Sequence, residues 1–363
     1  MRVVIAGGGT AGHVNPAIAV AQALEGHEVS FIGTAAGAEA SLVPSAGFPL
    51  EKIEVSGFDR SRPLSIFPTA VRALNAVRAA RSILKRRAPD VVLGVGGYVS
   101  LPACLAARSR RIPIVIHEQN IVLGLANRVC RRSAAAVAVS FEATLEQAGP
   151  KGVFTGNPVT KAFVAADLPG ERRAAHARYS LDPARRTLLV FGGSQGARRI
   201  NEAAFGLAAL WKDRSDLQVL HITGRSRGAP LGAHAGTGTG ALIYRQVEFV
   251  DRMVGAYAVA DLAVCRGGAT TVAELGVTGV PALIVPYPYH RDRQQELHGR
   301  VLEDAGAAIV VRDADVTPES IDRLAGSLLS DSERLAEMQV AAAKTGVPDA
   351  AARLAQVVEE AGS

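Results

Sequence analysis

Cysteine is scarce in this sequence of 363 residues: Cys104, Cys130 and Cys265 are far apart and form no CxxC pair. Three thiols cannot all pair within one chain, so the sequence predicts no disulfide framework and favours a reducing compartment. The spacing also gives no support for a zinc site built from cysteines.

Long apolar runs are missing as well. No segment reaches the roughly 18 consecutive apolar residues that a membrane-spanning helix needs. The apolar run at positions 1–6 gives way at once to glycines, which is unlike a signal peptide. The sequence therefore predicts a protein that is dissolved or rests on a membrane without crossing it.

Aromatic residues make up only 5% of the chain, and the net charge of +6 is unevenly spread. The stretch 59–87 carries eight basic residues and one acidic residue, which accounts for the whole excess. Nucleic-acid-binding proteins usually spread their bases over a longer face and add stacking aromatics, so no nucleic-acid partner is expected.

Short β-rich segments alternate with longer alanine-rich segments, and this alternation predicts doubly wound α/β sheets. Many of the β-rich segments are near-continuous runs of Val, Ile and Leu, as expected for parallel strands buried on both faces. The predicted strands are 2–6, 28–32, 90–95, 112–117 and 135–139, followed by 187–191, 217–222, 242–248, 262–265, 282–285 and 308–311.

The two halves of the chain begin alike, each with a strand, a glycine-rich loop (GGGTAGH or GGSQGARR) and a helix-like segment. This repeat predicts two Rossmann-like domains, residues 1–158 and 159–342, whose sheets face a cleft with their carboxyl ends. The boundary is placed near Asn157-Pro158 because an Asn-Pro step interrupts regular structure. We expect segment 343–363 to pack back on the first domain as a helix.

In the first glycine loop, Gly7, Gly9 and Gly12 fit the pattern GxGxxG directly after a strand. Such a loop exposes N–H groups at a helix N-terminus, where a diphosphate can bind. No acidic residue ends the second strand, which argues against NAD.

His13 is a candidate general base or hydrogen-bond donor, and Pro16 is expected to form the first helical turn. A tight turn with a capping histidine is the simpler alternative.

In the second glycine loop, Gly192, Ser194 and Gly196 match the nucleophile elbow of α/β hydrolases. Asp261 with His290 or His298 would then complete a triad. That interpretation leaves the first half of the chain without a role, so the sequence favours Ser194 as a hydroxyl donor to phosphate at a helix start.

The segment 265–274, CRGGATTVAE, leads from a strand through glycines into a helix. Its backbone N–H groups and the hydroxyls of Thr270 and Thr271 can hold a diphosphate, and Glu274, one turn further, suits ribose hydroxyls. The DRQQ cluster at 292–295 suits sugar hydroxyls. Asp313-x-Asp315 resembles a metal-binding DxD motif but is interpreted as a turn before a helix, so neither a metal nor a cofactor is predicted.

The basic stretch contains a helix-like segment with an apolar face beside arginines. We interpret it as a patch that inserts into an anionic membrane surface; the alternative is a helix that packs on its own sheet. The residues of the predicted patch are Phe67, Val71, Arg72, Leu74, Val77, Arg78 and Arg81.

Several strings resemble motifs of the MurG family, in the order and approximate spacing of that family, over most of residues 1–340. They are GGGTAGHVNPAIAVA, GVGGYVSLPA, HEQN followed by GLAN, GNPV, FGGSQGARRIN, CRGGATTVAE and DRQQ. The resemblance implies a GT-B fold and an inverting, metal-independent transfer of N-acetylglucosamine from UDP-N-acetylglucosamine to the C4 hydroxyl of the muramoyl sugar of lipid I. The acceptor is an undecaprenyl-diphosphate-linked muramoyl pentapeptide, and the product is lipid II. The resemblance also implies a peripheral location on the cytoplasmic face of a bacterial plasma membrane, near other cell-wall synthesis proteins.

The resemblance further implies roles for individual residues. His13 is the first candidate for the general base, and Glu118 is the second. The donor would contact Thr10, Ala11, Gly12, Asn120, Lys161, Ser194, the backbone of Val250, Ala269, Thr270, Thr271, Glu274, Gln294 and Gln295. The acceptor diphosphate would lie at Gly7, Gly8, Gly9, Gly96 and Gly97, in motifs that also contain Tyr98 and Asn127.

The sequence departs from the pattern of the family at two positions. The family often has an arginine after GNPV, whereas this chain has Thr160 and then Lys161, which lacks the bidentate fork of arginine. Ala11 stands where many members have glycine. Another GT-B transferase acting on a small molecule remains an alternative, and a hydrolase using Ser194 is a more distant one.

Overall fold

The computed structural model describes residues 1–55, 66–224, 241–289 and 292–363, and for residues 66–71 it describes only the backbone. Within these ranges, every helix is too short or too polar to span a bilayer. The chain forms two compact units. The N-terminal unit contains Met1–Lys161 and Val347–Ser363, and the C-terminal unit contains Ala162–Gly346.

The N-terminal unit is built from seven strands and the helices between them. Its elements are β1 (Arg2–Ala6), α1 (Ala11–Ala23), β2 (Glu28–Gly33), α2 (Glu39–Ser45), β3 (Leu50–Lys52), α3 (Ile66–Arg87), β4 (Val91–Gly94), α4 (Gly97–Ser109), β5 (Ile114–Glu118), α5 (Leu125–Cys130), β6 (Ala136–Val139), α6 (Leu145–Ala148) and β7 (Gly152–Phe154).

All seven strands are parallel and lie in the order β3-β2-β1-β4-β5-β6-β7. The central strands are buried on both faces, which explains their continuous apolar sequences. The strand order reverses between β1 and β4, so the loops that follow these two strands border a crevice at the carboxyl edge of the sheet. Gly7, Gly8 and Gly9 follow β1, and Gly96 and Gly97 lie between β4 and the first turn of α4.

The C-terminal unit repeats this plan with six strands. Its elements are α7 (Lys161–Val164), α8 (Leu168–Tyr179), β8 (Arg186–Phe191), α9 (Arg198–Leu210), β9 (Leu217–Ile222), β10 (Ile243–Val247), α10 (Met253–Val259), β11 (Leu262–Cys265), α11 (Ala269–Thr278), β12 (Ala282–Ile284), α12 (Gln294–Asp304), β13 (Ala308–Val310), α13 (Pro318–Ile321), α14 (Ser327–Ser330) and α15 (Ser332–Lys344).

The six strands are parallel in the order β10-β9-β8-β11-β12-β13. The reversal falls between β8 and β11, which are followed by the second glycine loop and by the glycines of CRGG. The same physical arrangement therefore occurs in both units, as the repeat in the sequence predicted.

The last helix, α16 (Ala350–Gly362), returns to the N-terminal unit. Its side chains Leu354, Ala355 and Val358 are buried in one apolar cluster with Val3 and Ile5 of β1. Burial of this face removes apolar area from water and fixes the helix on the sheet. The sequence analysis predicted the domain boundary at residue 158 and the start of the returning segment at residue 343, whereas the structure has them at Lys161 and Val347.

Two features differ from the sequence prediction. The short edge strands β3 and β7 were not predicted, because three residues are too few to show an alternating pattern. Helix α1 begins at Ala11, so the expectation that Pro16 forms its first turn is wrong, and Pro16 lies inside the helix. His13 is consequently a first-turn residue of α1.

Candidate active site

The two glycine loops of the N-terminal unit meet at the reversal of strand order. A Cβ atom on Gly97 would lie 2.6 Å from the carbonyl oxygen of Gly8, and one on Gly7 would lie 2.2 Å from Val95 Cγ2. Gly96 and Gly97 also have φ angles of 87° and 75°, which side chains disfavour. Glycine is therefore required for α1 and α4 to begin so close together.

Glu39 lies beneath the first of these loops, and its role was not predicted. Its buried carboxylate accepts hydrogen bonds from Gly9 N (2.8 Å), Thr34 N (2.8 Å) and Thr34 Oγ1 (2.7 Å). Burial opposes ionisation, but the hydrogen bonds outweigh it and hold the pKa of Glu39 below its ordinary value. A Cβ atom on Gly8 or Gly37 would come within 2.3 Å or 2.1 Å of this carboxylate.

These contacts correct one part of the predicted diphosphate site. The N–H of Gly9 donates to Glu39, and the N–H of Gly7 donates to the carbonyl oxygen of Ile32 at 3.3 Å. Both donors are used inside the fold, so neither is available to a phosphate. The first turns of α1 and α4, which contain no acidic residue, are the remaining anion-binding positions here.

His13 lies where the ends of three strands converge. Its half-buried ring places Nδ1 2.9 Å from Oε1 of Gln119, which follows β5. A Cβ atom on Gly96, after β4, would lie 3.5 Å from His13 Cε1. The neighbouring Thr10 and Gly12 are exposed, Ala11 is half-buried, and Tyr98 at the start of α4 is 64% exposed. The structure thus brings His13 together with both glycine loops.

Glu118 is buried and holds the loop that follows β5. Its carboxylate accepts four hydrogen bonds, from Asn120 N and Nδ2 (both 3.0 Å), Gly124 N (2.8 Å) and Asn127 Nδ2 (2.9 Å). The carboxylate oxygens of Glu118 are therefore engaged by donors of the surrounding fold. The geometry therefore supports a structural role for Glu118 and leaves His13 as the better candidate base.

Lys161 ends the first segment of the N-terminal unit. Its Nζ is 3.5 Å from Glu25 Oε1, and both side chains are largely exposed. An exposed pair of this kind contributes little to stability. Nothing in this contact indicates that Lys161 replaces the arginine expected after GNPV.

In the C-terminal unit, α11 begins directly after the glycines that follow β11. Gly268 precedes its first turn, which is formed by Ala269, Thr270 and Thr271 and contains no acidic residue. Because the first turn of a helix has N–H groups without helical partners, this end can bind an anion.

Glu274 lies further along α11 and is held by a residue that was not singled out from the sequence. Buried Tyr257 donates its hydroxyl to Glu274 Oε2 at 2.9 Å. Burial raises the pKa of Glu274 to about 7, although this hydrogen bond opposes the shift. Near neutral pH the carboxyl group is therefore poised between its acidic and ionised forms.

The DRQQ cluster adjoins the glycines before α11. His298 Nδ1 lies 2.9 Å from the carbonyl oxygen of Gly267, and a Cβ atom on Gly267 would lie 2.2 Å from the carbonyl oxygen of Gln295. Gln295 Oε1 accepts from Tyr287 N at 2.9 Å, while Gln294 is buried. The start of α12 and the CRGG loop therefore form one tightly packed cluster.

Ser194 is exposed in the loop between β8 and α9. The loop turns through a bond from Gly196 N to the carbonyl oxygen of Gly193 at 2.9 Å, and α9 begins only at Arg198. The expectation that Ser194 marks a helix start is therefore wrong; it is a loop residue. Val250, after β10, is buried beside half-exposed Phe249.

The alternative hydrolase triad is contradicted. Asp261 precedes β11 and accepts from Thr187 N (2.7 Å), Arg172 and Arg186 at the amino ends of the strands. Ser194 follows the carboxyl end of β8, a strand about 20 Å long at 3.3 Å per residue. His298 is bonded to Gly267, and His290 lies outside the described residues.

The DxD segment forms a 3-10 turn, in line with its interpretation as a turn. Asp313 accepts from Arg266 Nη1 at 2.6 Å and lies 3.2 Å from Arg199 Nε. Over the described part of the chain, no group of three or more His, Cys, Asp or Glu side chains could hold a metal ion. Arg266 also donates to the carbonyl oxygens of Val285 and Pro286, so it braces the loop after β12.

The residues of the predicted membrane patch lie on α3, and the structure shows which of their described side chains are exposed. Arg72, Leu74, Arg78 and Arg81 are exposed, but Val77 is half-buried against the core beside Ala80, Ile83 and Leu84. The apolar face was therefore assigned too widely. The side chains of Phe67 and Val71 lie outside the described residues.

Comparison with known families gives two matches that follow the two units. Residues 3–139 match the glycosyltransferase family 28 N-terminal domain, and residues 187–354 match the glycosyltransferase family 28 C-terminal domain.

Curated relatives match along most of their length. A UDP-N-acetylglucosamine–N-acetylmuramyl-(pentapeptide) pyrophosphoryl-undecaprenol N-acetylglucosamine transferase from Nocardioides is 44% identical and covers 100% of this chain and 98% of its own. The enzyme of the same name from Mycolicibacterium vanbaalenii is 42% identical, over 99% and 89%. The crystal structure of MurG from Acinetobacter baumannii matches with a TM-score of 0.78 and 31% identity, covering 99% of both chains.

Replacing Glu39 by Gln should destabilise the N-terminal unit by about 1–3 kcal/mol, because buried donors lose an ionised acceptor. The low pKa of Glu39 also predicts the pH dependence. The ionised carboxylate contributes fully to the free energy of unfolding above its ordinary pKa of 4.5. This contribution is lost as the pH falls through the lower pKa that Glu39 has in the folded protein. Urea unfolding followed by circular dichroism should show this loss for wild type and not for Glu39→Gln. Exposed Glu142→Gln is the control, and equal stability of all three proteins would contradict the role of Glu39.

Proposed function

The chain belongs to glycosyltransferase family 28, within the MurG family of N-acetylglucosaminyltransferases, and we propose how its residues carry out that reaction. The enzyme has the two-domain GT-B fold and transfers N-acetylglucosamine from UDP-N-acetylglucosamine to lipid I, which yields lipid II for peptidoglycan. Assignment of these substrates is supported by full-length relatives whose names specify this transfer.

His13 is proposed as the general base. It is a titratable side chain at the meeting point of the two glycine loops, and its ring contacts Gln119. An imidazole nitrogen with a free lone pair can accept a proton from a hydroxyl group. Glu118, the second candidate, is occupied by four hydrogen bonds.

The acceptor diphosphate is proposed to bind at the N-termini of α1 and α4. These ends lie next to one another because Gly8 and Gly97 pack backbone against backbone. Two helix ends give N–H donors and favourable dipoles for an anion. This position would bring the muramoyl sugar of the acceptor near His13 and near Tyr98 at the start of α4, while buried Asn127 holds Glu118.

The donor is proposed to bind to the C-terminal unit. The diphosphate would lie at the first turn of α11, with the hydroxyls of Thr270 and Thr271, and Ser194 would contact it from the neighbouring loop. Glu274 would accept hydrogen bonds from the ribose, and Gln294 and Gln295 would bind the sugar. The backbone of Val250 would read the uracil, and Thr10, Ala11, Gly12 and Asn120 would reach the sugar from the N-terminal unit.

The reaction then proceeds by direct displacement. His13 takes the proton of the C4 hydroxyl as its oxygen attacks C1 of N-acetylglucosamine. The bond from C1 to the phosphate oxygen breaks, and UDP leaves with the electron pair, so the new linkage has the inverted, β configuration. The N–H groups of α11 stabilise the charge that develops on UDP, a role that requires no metal ion in this proposal.

A peripheral location on the cytoplasmic face of the plasma membrane is also proposed. The acceptor carries a long prenyl chain, and the exposed side of α3 presents Arg72, Arg78 and Arg81 beside Leu74. Basic and apolar contributions add at an anionic surface. Other cell-wall synthesis proteins at that surface are further proposed partners.

Removing the base should slow the chemical step. His13→Ala is expected to reduce acceptor-dependent UDP release by about 100- to 10,000-fold in kcat, with donor binding preserved. The measurement is UDP release from UDP-N-acetylglucosamine with and without a lipid I analogue. His27→Ala, in the same unit but bonded to Glu359, should keep the wild-type rate. A His13→Ala enzyme that transfers at near full rate would remove His13 from this role.

Donor binding should depend on the protonation of Glu274. Since the ribose is proposed to bind the ionised carboxylate and the pKa of Glu274 is about 7, affinity should rise with pH through this value. Well below it, affinity for UDP-N-acetylglucosamine should fall by about tenfold per pH unit. Calorimetry from about pH 6 to about pH 8 measures this, because the diphosphate diester does not titrate there.

Glu274→Gln serves as the reference in that experiment, and its affinity should be weak and independent of pH. Buried Tyr257 and Cys265 also face Glu274. Burial raises the pKa of each of these side chains further above the pH range of the calorimetry, so neither of them changes its charge in the experiment. A wild-type affinity that is flat across this range would contradict the assignment of Glu274 to the ribose.

Membrane binding should weaken when the patch loses charge. Each arginine near an anionic surface contributes about 1 kcal/mol, so Arg72→Ala with Arg78→Ala should reduce vesicle affinity by about 10- to 30-fold. Sedimentation with phosphatidylglycerol vesicles measures this affinity, and binding of the wild type should weaken as the salt concentration rises. Arg173→Ala with Arg178→Ala, on α8, makes the same charge change and should have no effect. Binding indifferent to anionic lipid and to salt would contradict the proposal.

A further inference from the structure

Gln119 has three hydrogen bonds inside the N-terminal unit and is almost completely buried. Its Nε2 lies 2.9 Å from the carbonyl oxygen of Val95 and 3.2 Å from Nδ1 of His117. Its Oε1 lies 2.9 Å from Nδ1 of His13. The amide therefore joins the end of β4 to the first turn of α1.

The partners of Gln119 determine which way its amide group faces. The carbonyl oxygen of Val95 can only accept a hydrogen bond, so the group next to it must be the NH₂ of Gln119. The opposite orientation would set two acceptor oxygens 2.9 Å apart in a buried site and leave donors unpaired. Oε1 therefore faces His13.

His117 fixes the same direction from the other side. It is completely buried, and burial lowers its pKa to about 3, so its ring is neutral. A neutral ring that accepts from Gln119 at Nδ1 carries its proton on Nε2, which lies 3.1 Å from Ser140 Oγ. In the contacts that run from Ser140 through His117 and Gln119 to His13, each hydrogen bond thus pairs one donor with one acceptor.

From this geometry we propose that Gln119 is a positioning residue that keeps the proton of neutral His13 on Nδ1 and the lone pair on Nε2. Oε1 of Gln119 accepts only, so the other tautomer of His13 would place a lone pair against it. Nε2 is then ready to take the proton of the acceptor hydroxyl. This inference rests on the proposed role of His13 as base, but the tautomer itself is a separate property that can be measured without catalysis.

The tautomer is measured by two-bond ¹H–¹⁵N correlation spectra of the ¹⁵N-labelled full chain, with His13 assigned from its loss in His13→Ala. We expect wild-type His13 to be protonated on Nδ1 and unprotonated on Nε2 when neutral. Gln119→Met, which keeps the size of the side chain, should shift the ring toward the Nε2-protonated form. A wild-type ring protonated on Nε2, or a tautomer unchanged in Gln119→Met, would overturn the proposal.

Gln147→Met is the matched control for this change. Gln147 is in the same unit and bonds the backbone of Ile121 and Leu123, so the substitution removes a comparable amide without touching His13. The tautomer of His13 should be unaffected. If both variants change it equally, the effect is a general loosening of the fold, and the proposal fails.

A double-mutant cycle then links the tautomer to catalysis. Gln119→Met should lower kcat by about 10- to 100-fold, less than removal of the base, and leave both KM values near wild type. Combined with His13→Ala it should cause no further loss, because the two residues act as one unit. If Gln119→Met lowers kcat by the same factor in the His13→Ala enzyme as in the wild type, Gln119 acts elsewhere than through His13. If His13→Ala alone has no effect, the proposed base fails, while the spectra still decide the tautomer.

Discussion

Buried polar side chains accept hydrogen bonds from the N–H groups of the loops at the carboxyl ends of the strands. The rest of the site depends on these hydrogen bonds. Glu39 holds Gly9 and Thr34, while Glu118 holds Asn120, Gly124 and Asn127. Unpaired N–H groups would be costly in these tight, partly buried turns. The support for these loops therefore comes from inside the fold.

The two units have the same arrangement with different side chains at the loops. In the N-terminal unit, Gln119 lies against the ring of His13, which we propose as the base. In the C-terminal unit, the first turn of α11 contains no acidic residue, and Tyr257 holds Glu274 further along the helix. Under the proposed function, one α/β plan provides the proton acceptor in one unit and stabilises the leaving group in the other.

Local sequence was sufficient for the α/β class, the repeat of one plan in both halves and the glycine loops, because these depend on periodicity and on conformations that glycine favours. It failed where the answer depends on distant contacts. Glu39 lies far from Gly9 in sequence, and nothing local shows that its carboxylate turns inward. Glu118 was the second candidate base, and its four hydrogen-bond donors could not be predicted from the sequence. The apolar face of α3 was assigned too widely because Val77 packs against its own core.

The central claim is that this chain transfers N-acetylglucosamine to the muramoyl sugar of lipid I with inversion. The most direct measurement is the structure of the product formed from ¹³C-labelled UDP-N-acetylglucosamine and a lipid I analogue. The account predicts a β-1,4-linked disaccharide on the lipid and no labelled product without the acceptor. An α linkage, transfer to another hydroxyl, or release of only free N-acetylglucosamine would contradict it.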